Sequence, residues 1–246
     1  MSVFRSIVFT SVLTGLIVGV AVSAVQHFGT TPLILQAETY ENAAPAHNHE
    51  AATPEAGQDA AAAAPATAEA APAEEEAWGP ADGAERFLYT AAANILTAIG
   101  YALVLTGLFS LRSKTIGWRE GLLWGLGGFA AVMLAPMLGL PPELPGTPAA
   151  PLFDRQVWWI GTVAATAAGL ALIAFQRKPW AAVLGIVLIV APHVIGAPAM
   201  PEGETALAPA VLEHRFIVAA VVSSFIFWAL LGSISGSLYR RFEASA

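Results

Sequence analysis

His193 is the one ionisable side chain inside the long apolar stretches of this 246-residue sequence. It follows Pro192 and precedes Gly196 and Pro198, residues that loosen a helix and free backbone carbonyls nearby. An imidazole at membrane depth is a functional candidate by default. It serves either as a ligand for a borderline divalent ion or as a neutral ring bonded to a freed carbonyl. Asn94, in another apolar stretch, is the second polar anchor, and it reads as an ion ligand or as helix-packing glue. His47 and His49 stand two residues apart beside Glu50, with Glu38 and Glu41 shortly before them. Imidazole and carboxylate together suit Co²⁺, Ni²⁺ or Zn²⁺, although a pair of histidines in a polar linker is also compatible with no metal at all. His214, beside Glu213, completes the expected metal-ligating set. Met133 and Met137 share a helix face, but thioethers prefer softer ions, and core packing explains them better.

The elements that must position these residues are apolar spans. Residues 7–25, 87–111, 121–140, 157–175, 181–197 and 216–239 contain no Lys, Arg, Asp or Glu. A helix crossing a ~30 Å hydrocarbon core needs ~20 such residues, with a range of ~17–25. The stretches lack the recurrent polar face of a soluble helix. The expected fold is therefore all-α, a polytopic membrane bundle of about six transmembrane helices. The span at 181–197 stands at the short limit and contains Pro192. The first, led by Arg5, has the small residues of a signal-cleavage site at Val22-Ser23-Ala24, but it is longer than a signal core of ~7–15 residues. Gly15 and Gly19 form a small-xxx-small pattern suited to helix packing in lipid, so it reads as a retained anchor.

Charge then orients the bundle. With the N-terminus inside, eight of the eleven Lys and Arg fall on the inner side, and sixteen of the eighteen acids fall on the outer side. That split obeys the positive-inside rule and predicts cytoplasmic N- and C-termini. The acidic outer face would raise the local concentration of cations. With a net charge of −7 and no clustered Lys or Arg, nucleic acid is excluded as a partner; the lipid bilayer and a divalent cation fit instead.

Three regions are expected. Residues 1–41 hold the first helix and a short outer extension, 42–77 an Ala/Pro/Glu-rich outer loop with the two histidines, and 78–246 a five-helix membrane domain. The loop composition offers no apolar periodicity and predicts disorder. Acid–arginine pairs open the outward ends of three spans, at Glu85-Arg86, Asp154-Arg155 and Glu213-His214-Arg215. Ala-Pro closes two others, at Ala135-Pro136 and Ala191-Pro192. These recurrences suggest three repeated hairpins, or ordinary capping and snorkelling at helix ends.

Catalysis finds no support. There are no cysteines for thiolate sites or nucleophiles. His49-Glu50-Ala51-Ala52-Thr53 lacks the second histidine of a zinc-protease helix. Gly232-Ser233-Ile234-Ser235-Gly236 has its serines off the nucleophile-elbow position and reads as a packing face. No enzyme and no tightly bound cofactor are expected. No carboxylate lies within a span, so a cation path would rest on His193, Asn94, hydroxyls such as Thr162 and Ser224, carbonyls and water, or on a partner that completes it.

Several of these pieces together resemble a known family. They are the Arg5-led first helix, Pro32-Leu33-Ile34-Leu35-Gln36-Ala37-Glu38, Trp78-Gly79-Pro80, Pro141-Pro142-Glu143-Leu144-Pro145-Gly146, Pro192-His193-Val194-Ile195-Gly196-Ala197-Pro198 and Tyr239-Arg240-Arg241. The combination is similar to the proposed cobalt transporter subunit family of the CbtA type. The resemblance implies a bacterial inner-membrane protein for Co²⁺ uptake linked to cobalamin synthesis. It also implies a small companion subunit with a single membrane helix and its own histidines. A membrane scaffold that transports nothing, or a carrier of a corrinoid precursor, are the competing functional readings.

Overall fold

A computed structural model describes residues 3–43, 79–112, 116–200 and 203–243. His47 and His49, and most of the expected outer loop, lie outside the described residues. The described chain is helical: α1 (Val3–Phe28), α2 (Thr31–Ala43), α3 (Ala84–Ser110), α4 (Trp118–Phe129), a π-helical turn (Ala130–Leu134), α5 (Ala135–Met137), α6 (Leu152–Phe175), α7 (Pro179–Ile195) and α8 (Ala210–Glu243).

Five helices are long and apolar enough to span a membrane: α1, α3, the continuous Trp118–Met137 unit, α6 and α8. The sixth expected span, α7, has 17 residues and falls at the lower limit. Its length is set at both ends. Lys178 precedes Pro179 in an extended conformation, as a residue before proline prefers, and Gly196 stops the helix at φ 92°. The membrane-facing side is apolar throughout; Leu96 and Leu123, for example, are each 69% exposed, which only hydrocarbon tolerates on this scale. The acid-rich helix ends, with Glu38, Asp82, Arg86, Glu143 and Arg155, lie at what we call the acidic end. Arg112, Arg119, Arg240 and Arg241 lie at the opposite, basic end.

Packing is governed by small residues, because lipid supplies no hydrophobic force to bring helices together. α1 lies against α3, with Gly15 and Gly19 set directly on Ile99 and Ile95. A Cβ on either glycine would lie 2.7 Å from the backbone nitrogen of its partner. The small-xxx-small reading of α1 is thus realised, and α1 is a core helix of the bundle: Val18 is fully buried with Ala98, Ala102, Leu231 and Trp228. α4 packs along α8 through Gly121 and Gly125 against Gly232 and Gly236; a Cβ on Gly232 would come 2.8 Å from Gly125 Cα. α6 packs along α7 through Gly169 and Gly185.

These pairings replace the expected three-hairpin repeat. Only α1–α3 and α6–α7 pair as sequence neighbours, while α4 reaches across the chain to α8. The Gly-Ser-Ile-Ser-Gly face of α8 is complementary to the Gly-xxx-Gly of α4, and that match overrides proximity in sequence. The Ala-Pro and acid–arginine recurrences are accordingly helix-end chemistry.

Candidate functional site

A cleft of about 620 Å³ opens at the acidic end among α1, α2, α3 and α8. Its polar lining comes from Ser23 and Gln26 of α1, Thr90 and Asn94 of α3, and Ser223 and Ser224 of α8. Asn94 is the hub. Its Nδ2 donates to Gln26 Oε1 at 2.7 Å and to Ser23 Oγ at 3.0 Å, and Ser23 Oγ donates back to the Gly19 carbonyl at 2.7 Å. With both amide hydrogens used, the group that Asn94 has left is its carbonyl oxygen, an acceptor and so a cation ligand. The close α1–α3 approach at Gly15 and Gly19 brings these side chains together: without it, Asn94 would face lipid unsatisfied. Tyr101 and Trp228, rings 4.8 Å apart, lie among the cleft-lining residues and pass into the buried core below.

The mouth is pinned by charge. Arg86 at the start of α3 is bidentate on Glu38 of α2, with Nη1 2.9 Å from Oε2, and the same Nη1 is 2.9 Å from Asp82 Oδ1. α2, which sequence reading left as an extension, is a helix held by this pair and by Leu33 and Ala37 packed on Leu212 and Phe216. Glu38 therefore reaches the cleft only through Arg86, with its carboxylate already paired. Glu41, three residues on, is exposed, and so is His214 near the start of α8. His27, unmarked in the sequence reading, lies at the cleft edge against Phe87, ring centroids 5.4 Å apart.

His193 lies elsewhere. Its Nδ1 is 3.0 Å from the Ile189 carbonyl and its Nε2 is 3.0 Å from the Ala135 carbonyl. Both ring nitrogens are covered by oxygens, so a metal ion would have to displace one of them. The Ala-Pro motifs explain the arrangement. The Ala135 and Pro192 carbonyls lie near helix ends, each accepting one backbone N–H, from Leu138 at 3.2 Å and from Gly196 at 3.1 Å, with a second lone pair to offer. His193 meets the first, and Trp158 Nε1 meets the second at 3.2 Å. Pro136 itself cannot donate, and the ladder before it widens into the π-helical turn, whose Val132 and Met133 line the cleft. They also line a second cavity of about 670 Å³, between this turn and α6, where Arg155 Nη2 binds Glu143 at 2.6 Å.

The expected metal-ligating residues thus fall in separate places. Asn94 lines the cleft, Glu38 is paired with Arg86 beside it, His193 bridges α5 and α7, and Glu41 and His214 are on the acidic surface. Among the described residues no three of His, Cys, Asp and Glu group closely enough to hold a metal ion. Beside the Asp82–Arg86 pair at its mouth, the cleft presents neutral oxygens, suited to a cation that keeps much of its water.

The comparison with protein families now bears directly on this site. Residues 4–240 match the family described as "Probable cobalt transporter subunit (CbtA)". The chain belongs to the CbtA family. The match runs from the first turn of α1 almost to the end of α8, so the cleft, the π-helical turn and His193 all lie within the CbtA region. No curated protein and no solved structure matches the chain. As a CbtA-family protein it is a membrane-embedded subunit of a probable cobalt transporter.

Proposed function

We propose that this chain forms the membrane passage of a Co²⁺ uptake system, with the cleft as the place where the ion leaves bulk water. The observation that carries the reading is the Asn94–Gln26–Ser23 network, a satisfied polar cluster inside an apolar bundle at its acid-rich end. A polar group at that depth is costly unless it works, and its free acceptor is the group a cation needs.

In this reading the acidic end faces the periplasm of a bacterial inner membrane and both termini lie in the cytoplasm, as the charge split favours. Glu41, His214 and the loop histidines His47 and His49 gather the ion at the surface. The cleft has no unpaired carboxylate of its own, so charged ligands come from a companion subunit with one membrane helix and histidines. The imported metal serves cobalamin synthesis. His193 acts as the tether between α5 and α7.

Initial uptake of radiolabelled Co²⁺ by cells expressing the chain with its companion tests the reading. Asn94→Leu keeps the volume and removes the amide, and it lowers uptake about tenfold or more at equal protein level. Uptake at the parent rate by a well-expressed Asn94→Leu chain would discard the cleft as the binding place.

A further inference from the structure

The serines and threonines buried in this bundle fall into two groups. Ser11, Ser23, Thr106 and Thr162 donate to the carbonyl four residues back, at 2.7–2.8 Å, the ordinary resting place of a hydroxyl in a membrane helix. Thr10 and Thr14 of α1, Ser235 of α8 and Thr166 of α6 do not. Each is buried, and each oxygen is without a hydrogen-bond partner. An unpaired hydroxyl in an apolar interior costs free energy, and the back-bonded alternative is one rotamer away.

Thr166 stands apart on α6, and the other three belong to one pair of helices. α1 and α8 run antiparallel in contact, with Phe9 6.5 Å from Phe242 at the basic end. At the acidic end a Cβ on Gly29 would lie 3.9 Å from Ser223 Oγ. That register puts Ser235 between the levels of Val18 and Thr14, and Thr10 one turn nearer the basic end than Thr14, a step of ~6 Å. On the other side of Thr14 come Val18 and Leu231, both fully buried, and then Trp228 at the cleft. The α1–α8 seam therefore reads, from acidic to basic end, as polar cleft, apolar constriction and unpaired hydroxyls.

We propose that Thr10, Thr14 and Ser235 line the lower half of the cation's path, replacing water on a partly hydrated divalent ion once it passes the Val18–Leu231 constriction. This rests on the cleft being the binding place. The hydroxyls are unpaired in the resting structure because their partner is the transported ion with its water. Hard, neutral oxygens a helical turn apart hold such an ion loosely enough to release it.

The test separates this role from packing. Thr14→Val and Ser235→Ala remove an oxygen that bonds nothing, so neither lowers the melting temperature of the purified full chain. Both lower Co²⁺ uptake in cells about tenfold or more, and Thr14→Ser, which restores the hydroxyl, returns it to within about twofold of the parent. Co²⁺ retention by the purified chain, a property of the cleft, is unchanged in both variants and lost in Asn94→Leu. Uptake at the parent rate by stable Thr14→Val and Ser235→Ala chains overturns the hydroxyl path and leaves the cleft standing. Co²⁺ retention that survives Asn94→Leu overturns the cleft, and the path with it.

Discussion

The Nε2 atom of His193 lies 3.0 Å from the carbonyl oxygen of Ala135, joining the last turn of α7 to the last turn of α5. Two proline-broken helices meet through it. Removing the ring takes away this cross-helix contact and leaves the Ala135 carbonyl with the Leu138 N–H alone, at 3.2 Å. His193→Ala therefore lowers stability by about 0.5–1.5 kcal/mol, the net value of one hydrogen bond. His193→Gln, whose amide can donate to one of the carbonyls, loses less and keeps Co²⁺ uptake. Thermal unfolding in detergent alongside uptake checks both; a stable His193→Gln chain with no uptake would return His193 to the metal.

The α4–α8 seam makes a sharper prediction about folding. Gly232 has no room for a side chain, since a Cβ would come 2.8 Å from Gly125 Cα. Gly232→Val must push the helices apart, at about 1–3 kcal/mol or more for such overpacking. Membrane-inserted protein then falls sharply in amount, whereas Gly100→Ala, with nothing within 4 Å of the added carbon, leaves it unchanged. Size-exclusion profiles of both variants decide it; equal, monodisperse yields would mean the seam is looser than described.

How much of this was legible in the sequence depends on which force set each feature. Apolar length located the spans, and the two Gly-xxx-Gly faces flagged packing surfaces, since close backbone approach in lipid needs small residues. Hydropathy carries no information about which face meets which, so α4 against α8 was missed, although Gly121-xxx-Gly125 and Gly232-xxx-Gly236 were both visible. Asn94 stood out as a polar residue in an apolar run. Its partners Ser23 and Gln26 did not, because Ser23 sat in an apparent cleavage motif and Gln26 just past the span. α2 escaped notice because what holds it lies far along the chain: Arg86 on Glu38, and Leu212 and Phe216 under Leu33 and Ala37.

That dependence on Arg86 predicts a coupling. Glu38 and Arg86 are each partly exposed, with side chains 26% and 31% accessible, so the pair is worth about 0.2–1 kcal/mol. Glu38→Gln and Arg86→Gln each loosen α2, and together they cost less than the sum of the two, as expected for residues sharing one interaction. Proteolysis rates at α2 in the four combinations measure it; strict additivity would show that Leu33 and Ala37 alone hold the helix.

The most direct measurement asks whether cobalt occupies the cleft. The chain has no cysteine, so a single Thr97→Cys beside Asn94 gives one thiol in the cleft lining. A membrane-impermeant thiol reagent added outside the cytoplasmic membrane should modify it, which also reads the orientation of the bundle. Added Co²⁺ should slow that modification about tenfold, and the protection should vanish when Asn94→Leu is combined with it. Labelling that proceeds at one rate with and without Co²⁺ would show that the ion does not bind there.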